Sequence, residues 1–447
     1  MGPHLTGTPV TKFRYQVREG KRLQLPASLD SPRLRQRLLQ AVSGMPFQVF
    51  TIDSRGISAG NVVGAVDIGD VQIEILPKVS AGDNYDADSQ FLLDLLSTAG
   101  LTPRVARKQG QVLLTSHDVI EAIIRAFSEE VAKRLISGPP RRYHERREVS
   151  AVLRGRIEFN RLATRPPAHD HLLPVRYAPL HRDNTLSQVV RATLQRLLSL
   201  TRSARNRATI RHCLIALDVV TKKELTETFV LNVNLSRFEA DWSRIVNFAL
   251  ALARGQSPNP VSPGLMPSYT LLFSLDDLFE AVLRKYLPVA LRGTAISLLA
   301  RPHNLNLLRA EDLGHEVLKL KPDYLFVDAK SSVSKRVVGD AKWKRLRPDS
   351  PSSGLKTGDV YQLTTYMMRH QLTRGILFFP KDSWMITQSE AWFRQFHVIG
   401  SDSVIYIIGV DVPGLVSHDT GTRAAALNAL RQSIIEAYSS NRSTKDA

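Results

Sequence analysis

The chain has 447 residues and 43% hydrophobic content, enough for two or three globular domains with sizeable cores. A single cysteine, Cys213, excludes an intrachain disulfide framework and a cysteine-ligated zinc or iron–sulfur cluster, and no apolar run approaches the ~18 residues of a membrane helix. The formal net charge of +18 creates a field that attracts phosphates.

The N-terminal stretch lacks a charged region followed by an apolar core, so a cytoplasmic protein is expected. Residues 9–80 read mainly as strands. Val62–Ile68 and Val71–Leu76 flank the turn pair Gly69-Asp70, and Pro77 stops the second strand. Helical patterns follow at 91–99, 119–136, 186–200, 208–219 and 238–253, with Ser137-Gly138-Pro139-Pro140 as a breaker between them. The densest basic cluster, Arg141-Arg142-Tyr143-His144-Glu145-Arg146-Arg147, is followed by Arg154-Gly155-Arg156. It reads either as a surface for a DNA backbone or a partner, or as a solvated loop face. His169-Asp170-His171 has the look of a metal clip but follows Arg165-Pro166-Pro167 and reads as a loop. Residues 255–267, rich in Pro, Gly and Ser, read as a linker or long loop, and 441–447 as a frayed tail. Residues 1–100 are thus expected as a β-rich N-terminal domain, 101–254 as a mainly helical middle region and 268–447 as a C-terminal domain, giving an α+β/α/β multidomain chain. No Walker A sequence is present, so the chain is not expected to hydrolyse a nucleotide by itself.

The chemistry gathers near residue 330. Leu320–Val327 and Val337–Lys344 read as two short strands, joined by the polar segment Asp328–Arg336 as a hairpin. Asp340 and Lys342 are two apart, so they share a strand face, and Asp323 on the neighbouring strand can reach it. Two acids and a lysine on one face can hold a hard divalent cation beside a phosphodiester. Asp323 and Asp340 would be its ligands, and Lys342 would orient the attacking water or offset transition-state charge. The Ala341 carbonyl is a further candidate ligand. Pro322-Asp323 followed by Asp340-Ala341-Lys342 resembles the PD-(D/E)xK nuclease signature. Upstream, Ser274-Leu275-Asp276-Asp277 reads as a helix start, and the amphipathic run behind it carries Glu280. Downstream, Gln362 and Tyr366 stand four apart on one helix face, matching a QxxxY element of that class. The order is compatible with an αβββαβ core. Plainer readings stand beside these. Pro322-Asp323 can be a turn device, Asp340–Lys342 a surface ion pair, and Glu280, Gln362 and Tyr366 ordinary helix residues.

Three blocks together resemble McrC, the nuclease subunit of McrBC-like modification-dependent restriction systems. They are Gly69–Lys78 (GDVQIEILPK), Leu153-Arg154-Gly155-Arg156-Ile157, and the C-terminal set Leu278-Phe279-Glu280, Lys321-Pro322-Asp323, Asp340–Lys344 and Asp359–Gln362. The resemblance implies an Mg²⁺-dependent DNA endonuclease subunit, with Mn²⁺ as a substitute, acting on double-stranded DNA. It also implies docking, through the N-terminal half, on a hexameric ring of an AAA+ GTPase of the McrB type, with stimulation of GTP hydrolysis. Dimerised complexes would supply two sites for double-strand cutting. Arg146, Arg147, Arg154, Arg156 and Lys344 are the candidates for DNA or partner contact. Two other functions remain as alternatives: a non-catalytic activator of an AAA+ ring, and a stand-alone DNA repair nuclease.

Overall fold

A computed structural model describes residues 13–26, 30–54, 56–68, 71–78, 84–103, 119–163, 172–255, 269–299, 305–312, 314–328, 336–347, 350, 352–382, 385 and 392–439. Gly69-Asp70, Arg165–His171, most of the 255–267 segment, the 329–335 connection and the C-terminal tail lie outside the described residues. The chain is a mixed α/β protein of several sheets. It divides into two compact units. One comprises residues 1–100, 104–119 and 255–447, the other 101–103 and 120–254. Contacts thus group the N-terminal β-rich segment with the chain from Gly255 onward, rather than leaving each as a body of its own.

The first unit opens with β1 (Phe13–Arg18), α1 (Pro32–Ala41), β2 (Phe50–Asp53), β3 (Gly56–Ala59), β4 (Val62–Asp67), β5 (Val71–Leu76) and α2 (Tyr85–Thr98). Helix α1 interrupts the strands that were expected over 9–80. The Ser31 hydroxyl caps it by accepting from the Leu34 N–H, Pro32 sits in its first turn, and Leu34, Leu38 and Ala41 are buried. Strands β4 and β5 pair as the antiparallel hairpin read from the sequence, ending with Asp67 opposite Gln72. Strand β1 adds in parallel to β5.

The second unit is more than helical. It holds α3 (Val119–Leu135), β6 (Arg142–Tyr143), β7 (Arg146–Ser150), β8 (Arg156–Ile157), α4 (Phe159–Leu162), β9 (Leu173–Tyr177), β10 (Leu180–His181), α5 (Thr185–Leu200), α6 (Ala204–Ala216), α7 (Glu227–Leu231) and α8 (Ser243–Arg254). Its arginine-rich stretch forms strands instead of a loop, in a sheet of order β7-β9-β8. Gly155 is required there. Its φ is +70°, and a Cβ would stand 2.4 Å from the Arg176 carbonyl oxygen. Cys213 is a core residue, and burial pushes its thiol up to about 11.

The chain then returns to the first unit through β11 (Tyr269–Ser274), which pairs antiparallel with β4 and completes a sheet of order β1-β5-β4-β11. Gly64 lets the strands close, since a Cβ there would lie 2.0 Å from the Leu271 carbonyl oxygen. Ser274 is both the last residue of β11 and the cap of α9 (Leu275–Ala290), its hydroxyl accepting from the Asp277 N–H. Thus the N-terminal sheet feeds directly into the helix that precedes the candidate site. Next come β12 (Ile296–Leu298), the exposed hairpin β13 (Asn306–Arg309) and β14 (Glu316–Lys319), β15 (Tyr324–Asp328), β16 (Val337–Ala341), α10 (Thr357–Arg369), β17 (Arg374–Pro380), β18 (Trp392–His397), β19 (Val404–Val410), α11 (Val412–Val416) and α12 (Thr420–Ser439).

A six-stranded mixed sheet of order β12-β15-β16-β17-β19-β18 forms the body of this segment. Alternation sorts its side chains. Leu325, Val338, Leu377, Phe379, Ile405 and Ile407 pack with Leu363, Tyr366 and Met367 of α10. Tyr324, Phe326 and Phe378 form an aromatic cluster on the other face. Each fully buried side chain of this kind contributes roughly 1.5–3 kcal/mol, so the sheet is a firm base for polar groups at the ends of its inner strands.

Candidate active site

Strand register brings the two aspartates together. Tyr324 pairs with Gly339 in antiparallel β15–β16, so one step further along Asp323 comes opposite Asp340. Asp323 precedes β15 by one residue and is anchored there, with its Oδ2 accepting from the Ala341 N–H at 2.8 Å. Asp340 is buried in β16, 1% exposed. Lys342, whose N–H continues the ladder to the Phe378 carbonyl at 2.9 Å, places Nζ 2.8 Å from Asp340 Oδ2. The side chains share the face of Leu325 and Val338, the α10 side.

Tyr366, on α10, closes that side. Its hydroxyl accepts from Gln362 Nε2 at 2.8 Å and donates to the Lys321 carbonyl at 3.3 Å, tying α10 to the segment that carries Asp323. Glu280 approaches from α9 but is held by Arg284 in an ion pair, and its carbonyl accepts from the Tyr324 hydroxyl at 2.9 Å. Lys344 is engaged by Asp359, with Nζ 2.6 Å from Oδ1. The basic candidates Arg146, Arg147, Arg154 and Arg156 belong to the other compact unit, on and beside β7 and β8.

Electrostatically the corner is overloaded with carboxylates. Burial raises the Asp323 carboxyl above the usual range, and the Asp340 and Glu280 charges push it further. Burial also raises Asp340, against the opposing pull of Lys342. The two carboxyls face each other across β15 and β16, so an ionised Asp340 disfavours ionisation of Asp323. For Lys342, burial works to lower the ammonium, yet Asp340 and Asp323 outweigh it and hold it above the ordinary lysine value.

A divalent cation fits this donor set. Asp340 Oδ2 is buried without a well-formed hydrogen bond, although the Lys342 ammonium lies within ion-pair distance. That leaves a carboxylate oxygen with unsatisfied capacity beside a second carboxylate. No group of three or more His, Cys, Asp or Glu is gathered for a metal among the described residues. Asp323 and Asp340 are the two carboxylates that face each other here, and Glu280 is ion-paired with Arg284.

Three polar residues near the site escaped the sequence reading. Asp276, in the first turn of α9, accepts from the Trp343 N–H at 2.8 Å; Glu19 and Asn61 grip the same tryptophan from the N-terminal sheet. Only Asp276 had a local signal, as part of a helix start. The contacts of Glu19 and Asn61 span some three hundred residues of chain.

Fold and site together define a multi-sheet α/β protein with a facing aspartate pair and a lysine at the end of two inner strands of its largest sheet. The family model described as McrBC 5-methylcytosine restriction system component matches residues 57–380. The chain belongs to that family, and its McrC-like reading is borne out. Among solved structures, it is similar to a chain of the refined half-complex from the tetradecameric assembly of Thermococcus gammatolerans McrB AAA+ hexamers with bound McrC. The TM-score is 0.56 and the identity 16%, over 94% of this chain and 99% of that one. A chain of the Thermococcus gammatolerans McrBC complex is also similar, with TM-score 0.48 and 18% identity, over 62% of this chain and 88% of that one. No curated protein matches the chain. No helix among the described residues is long and apolar enough to cross a membrane.

Proposed function

We propose that this chain is the Mg²⁺-dependent DNA endonuclease subunit of a modification-dependent restriction complex, working on an AAA+ GTPase ring of the McrB type. The observation that carries the reading is the facing of Asp323 and Asp340 with Lys342 on Asp340, in a member of the McrBC family. The order α9, β12, β15, β16, α10, β17 supports a PD-(D/E)xK core, and the solved neighbour from an assembly of McrB hexamers with bound McrC supports the partner.

In this reading Asp323 and Asp340 would hold the cation, which when bound polarises the phosphoryl oxygen and lowers the pKa of water. Lys342, charged and tethered to Asp340, positions the nucleophilic water and offsets charge on the pentacoordinate transition state. Tyr366 and Gln362 hold Lys321 and so the approach of Asp323. The arginine-bearing sheet of the second unit is the surface for partner or DNA backbone.

The test is cleavage of modified and unmodified plasmid with Mg²⁺, for wild type and Lys342→Ala, each with and without the AAA+ partner and GTP. Cutting by the complete wild-type mixture alone supports the reading. Cutting by the chain alone favours an autonomous nuclease. Intact stimulation of the partner with no cutting anywhere replaces the enzyme with an activator.

A further inference from the structure

Directly after Lys342 comes Trp343, and every polar group of that residue is held by something else. Its N–H donates to Asp276 Oδ1 at 2.8 Å. Its carbonyl accepts from Asn61 Nδ2 at 3.0 Å. Its indole Nε1–H donates to Glu19 Oε2 at 2.8 Å. The ring is 6% exposed and sits edge-on to Phe279 of α9, with centroids 5.7 Å apart. Asn61 also fixes the start of α9, since its carbonyl accepts from the Leu275 N–H at 3.1 Å. Glu19, just past β1, is locked in turn: its N–H donates to the Leu76 carbonyl, and its Oε1 accepts from the Lys78 N–H at 3.4 Å. The Arg345 guanidinium reaches the Lys78 carbonyl from the other side.

Residues 342–345 lie beyond the end of β16, where a chain has only its neighbours to set its path. A lysine there with free backbone dihedrals would spread its Nζ over several ångströms. The grip on Trp343 removes that freedom on the side of Lys342 that leads away from the sheet, while the bond from the Lys342 N–H to Phe378 removes it on the other. Two of the three grips come from the N-terminal sheet segment.

We propose that Glu19 and Asn61 are positioning residues of the nuclease site: by clamping Trp343 they hold Lys342 in register with Asp340, so the N-terminal segment sets the geometry of the C-terminal chemistry. This inference rests on the nuclease reading. It assigns a task to Pro77-Lys78, just past β5, where the Lys78 N–H braces Glu19.

The test uses the full chain in complex with its AAA+ partner and GTP, measuring kcat and KM for cleavage of modified DNA. Glu19→Ala and Trp343→Phe each remove the indole bond, and Asn61→Ala removes the carbonyl bond by an independent route. A misplacement of about 1 Å at the lysine predicts a kcat loss of roughly tenfold to a hundredfold with KM unchanged. Glu19→Gln keeps an acceptor for the indole and restores kcat. Thermal midpoints separate unfolding from misplacement, and Trp343→Phe and Asn61→Ala stand in if Glu19→Ala fails to fold. A second readout needs no catalysis. With 5-fluorotryptophan in the chain's four tryptophans, the resonance lost in Trp343→Phe shifts in Glu19→Ala and returns in Glu19→Gln. A shifted resonance with unchanged kcat overturns the positioning role and leaves the nuclease reading standing. An unmoved resonance overturns the clamp. A wild-type complex that never cuts overturns the nuclease reading, and the positioning role with it.

Discussion

Two regions of this molecule carry clustered charge, and they are built in opposite ways. The Asp323–Asp340–Lys342 corner is small, tightly braced and centred on the buried Asp340. The row Arg147, Arg176 and Arg156 crosses β7, β9 and β8 in register, directly opposite one another on one face. Its members are exposed: the side chains of Arg147 and Arg176 are 55% and 48% accessible. Glu145 sits between those two, pairing with Arg176 at 2.6 Å and with Arg147 at 3.2 Å, which relieves like-charge crowding. Exposed Val152 and Leu153 follow β7 in the chain, and exposed Phe159 follows β8. In the corner, charges act on each other through low dielectric and set protonation states. In the row they act through water, where salt screens them and only an incoming partner can desolvate them. The corner is suited to chemistry and the row to association, so substitutions should separate the two.

The largest expected effect is at the corner. Asp340→Ala should abolish cutting, and Lys342→Ala should lower it on the order of a hundredfold to a thousandfold. Binding of the AAA+ partner should be unchanged in both. Loss of partner binding in either variant would mean that corner and row are not separable, and quantitative pull-down beside plasmid cleavage reads both at once.

A second effect tests the bracing. Burial lifts the Glu19 carboxyl from its ordinary 4.5 to about 7. Glu19 as a residue is half-buried, but its carboxyl group is enclosed between Trp343 and Lys78. Between those two pH values the folded chain keeps a proton that the unfolded chain has lost. Stability is therefore fully present below about pH 4.5 and falls as pH rises through 7, by about 3 kcal/mol in total. Glu19→Gln removes this slope. Denaturant unfolding should find the variant more stable than wild type at pH 8, with the gap closing by about pH 4. Parallel curves for the two proteins would show that the carboxyl is not enclosed.

How much of this was legible beforehand follows the same division. Asp323, Asp340 and Lys342 could be read because strand alternation and a hairpin bring them together over fewer than twenty residues. The β4–β5 hairpin and helices α3 and α5 were legible for the same local reason. Helix α1 was not, because its i, i+4, i+7 face of Leu34, Leu38 and Ala41 is short and lies among arginines and glutamines between strand-like segments. Strand β11 was hidden at the edge of a Pro- and Gly-rich stretch, and its partner β4 lies two hundred residues away. Strands β6–β8 were hidden because arginines and glutamates dominate them, and an exposed ribbon needs no apolar alternation. Arg176 was missed although it completes the row, since only register reveals it. Glu280, legible as an acid on the first helix, forms an ion pair with the arginine one helical turn on, which needs no long-range register to be seen.

A smaller effect addresses how the row is held. Gly155 lets the chain pass against Arg176 and Tyr177 with φ +70°. Gly155→Ala should cost about 1–3 kcal/mol of local backbone strain and loosen β8 from β9. Amide exchange at Arg156 and Ile157 should rise, with cleavage by the preassembled complex retained.

The smallest effect in energy is the most discriminating. Arg147→Ala, Arg156→Ala and Arg176→Ala together should weaken association with the partner about tenfold at low salt, mainly through slower association. Arg156 stands opposite Arg176 in register, so the two would meet an incoming anionic group together. Raising ionic strength should weaken wild-type association and shrink the gap between wild type and variant, because an exposed row is screened within ~10 Å at 0.1 M salt. The Lys342→Ala defect in a preassembled complex should not respond to salt in this way, since its partner is a buried carboxylate. If the triple variant binds like wild type at every salt concentration, the row is a solvated face, and the exposed apolar group at Val152, Leu153 and Phe159 becomes the surface to change next.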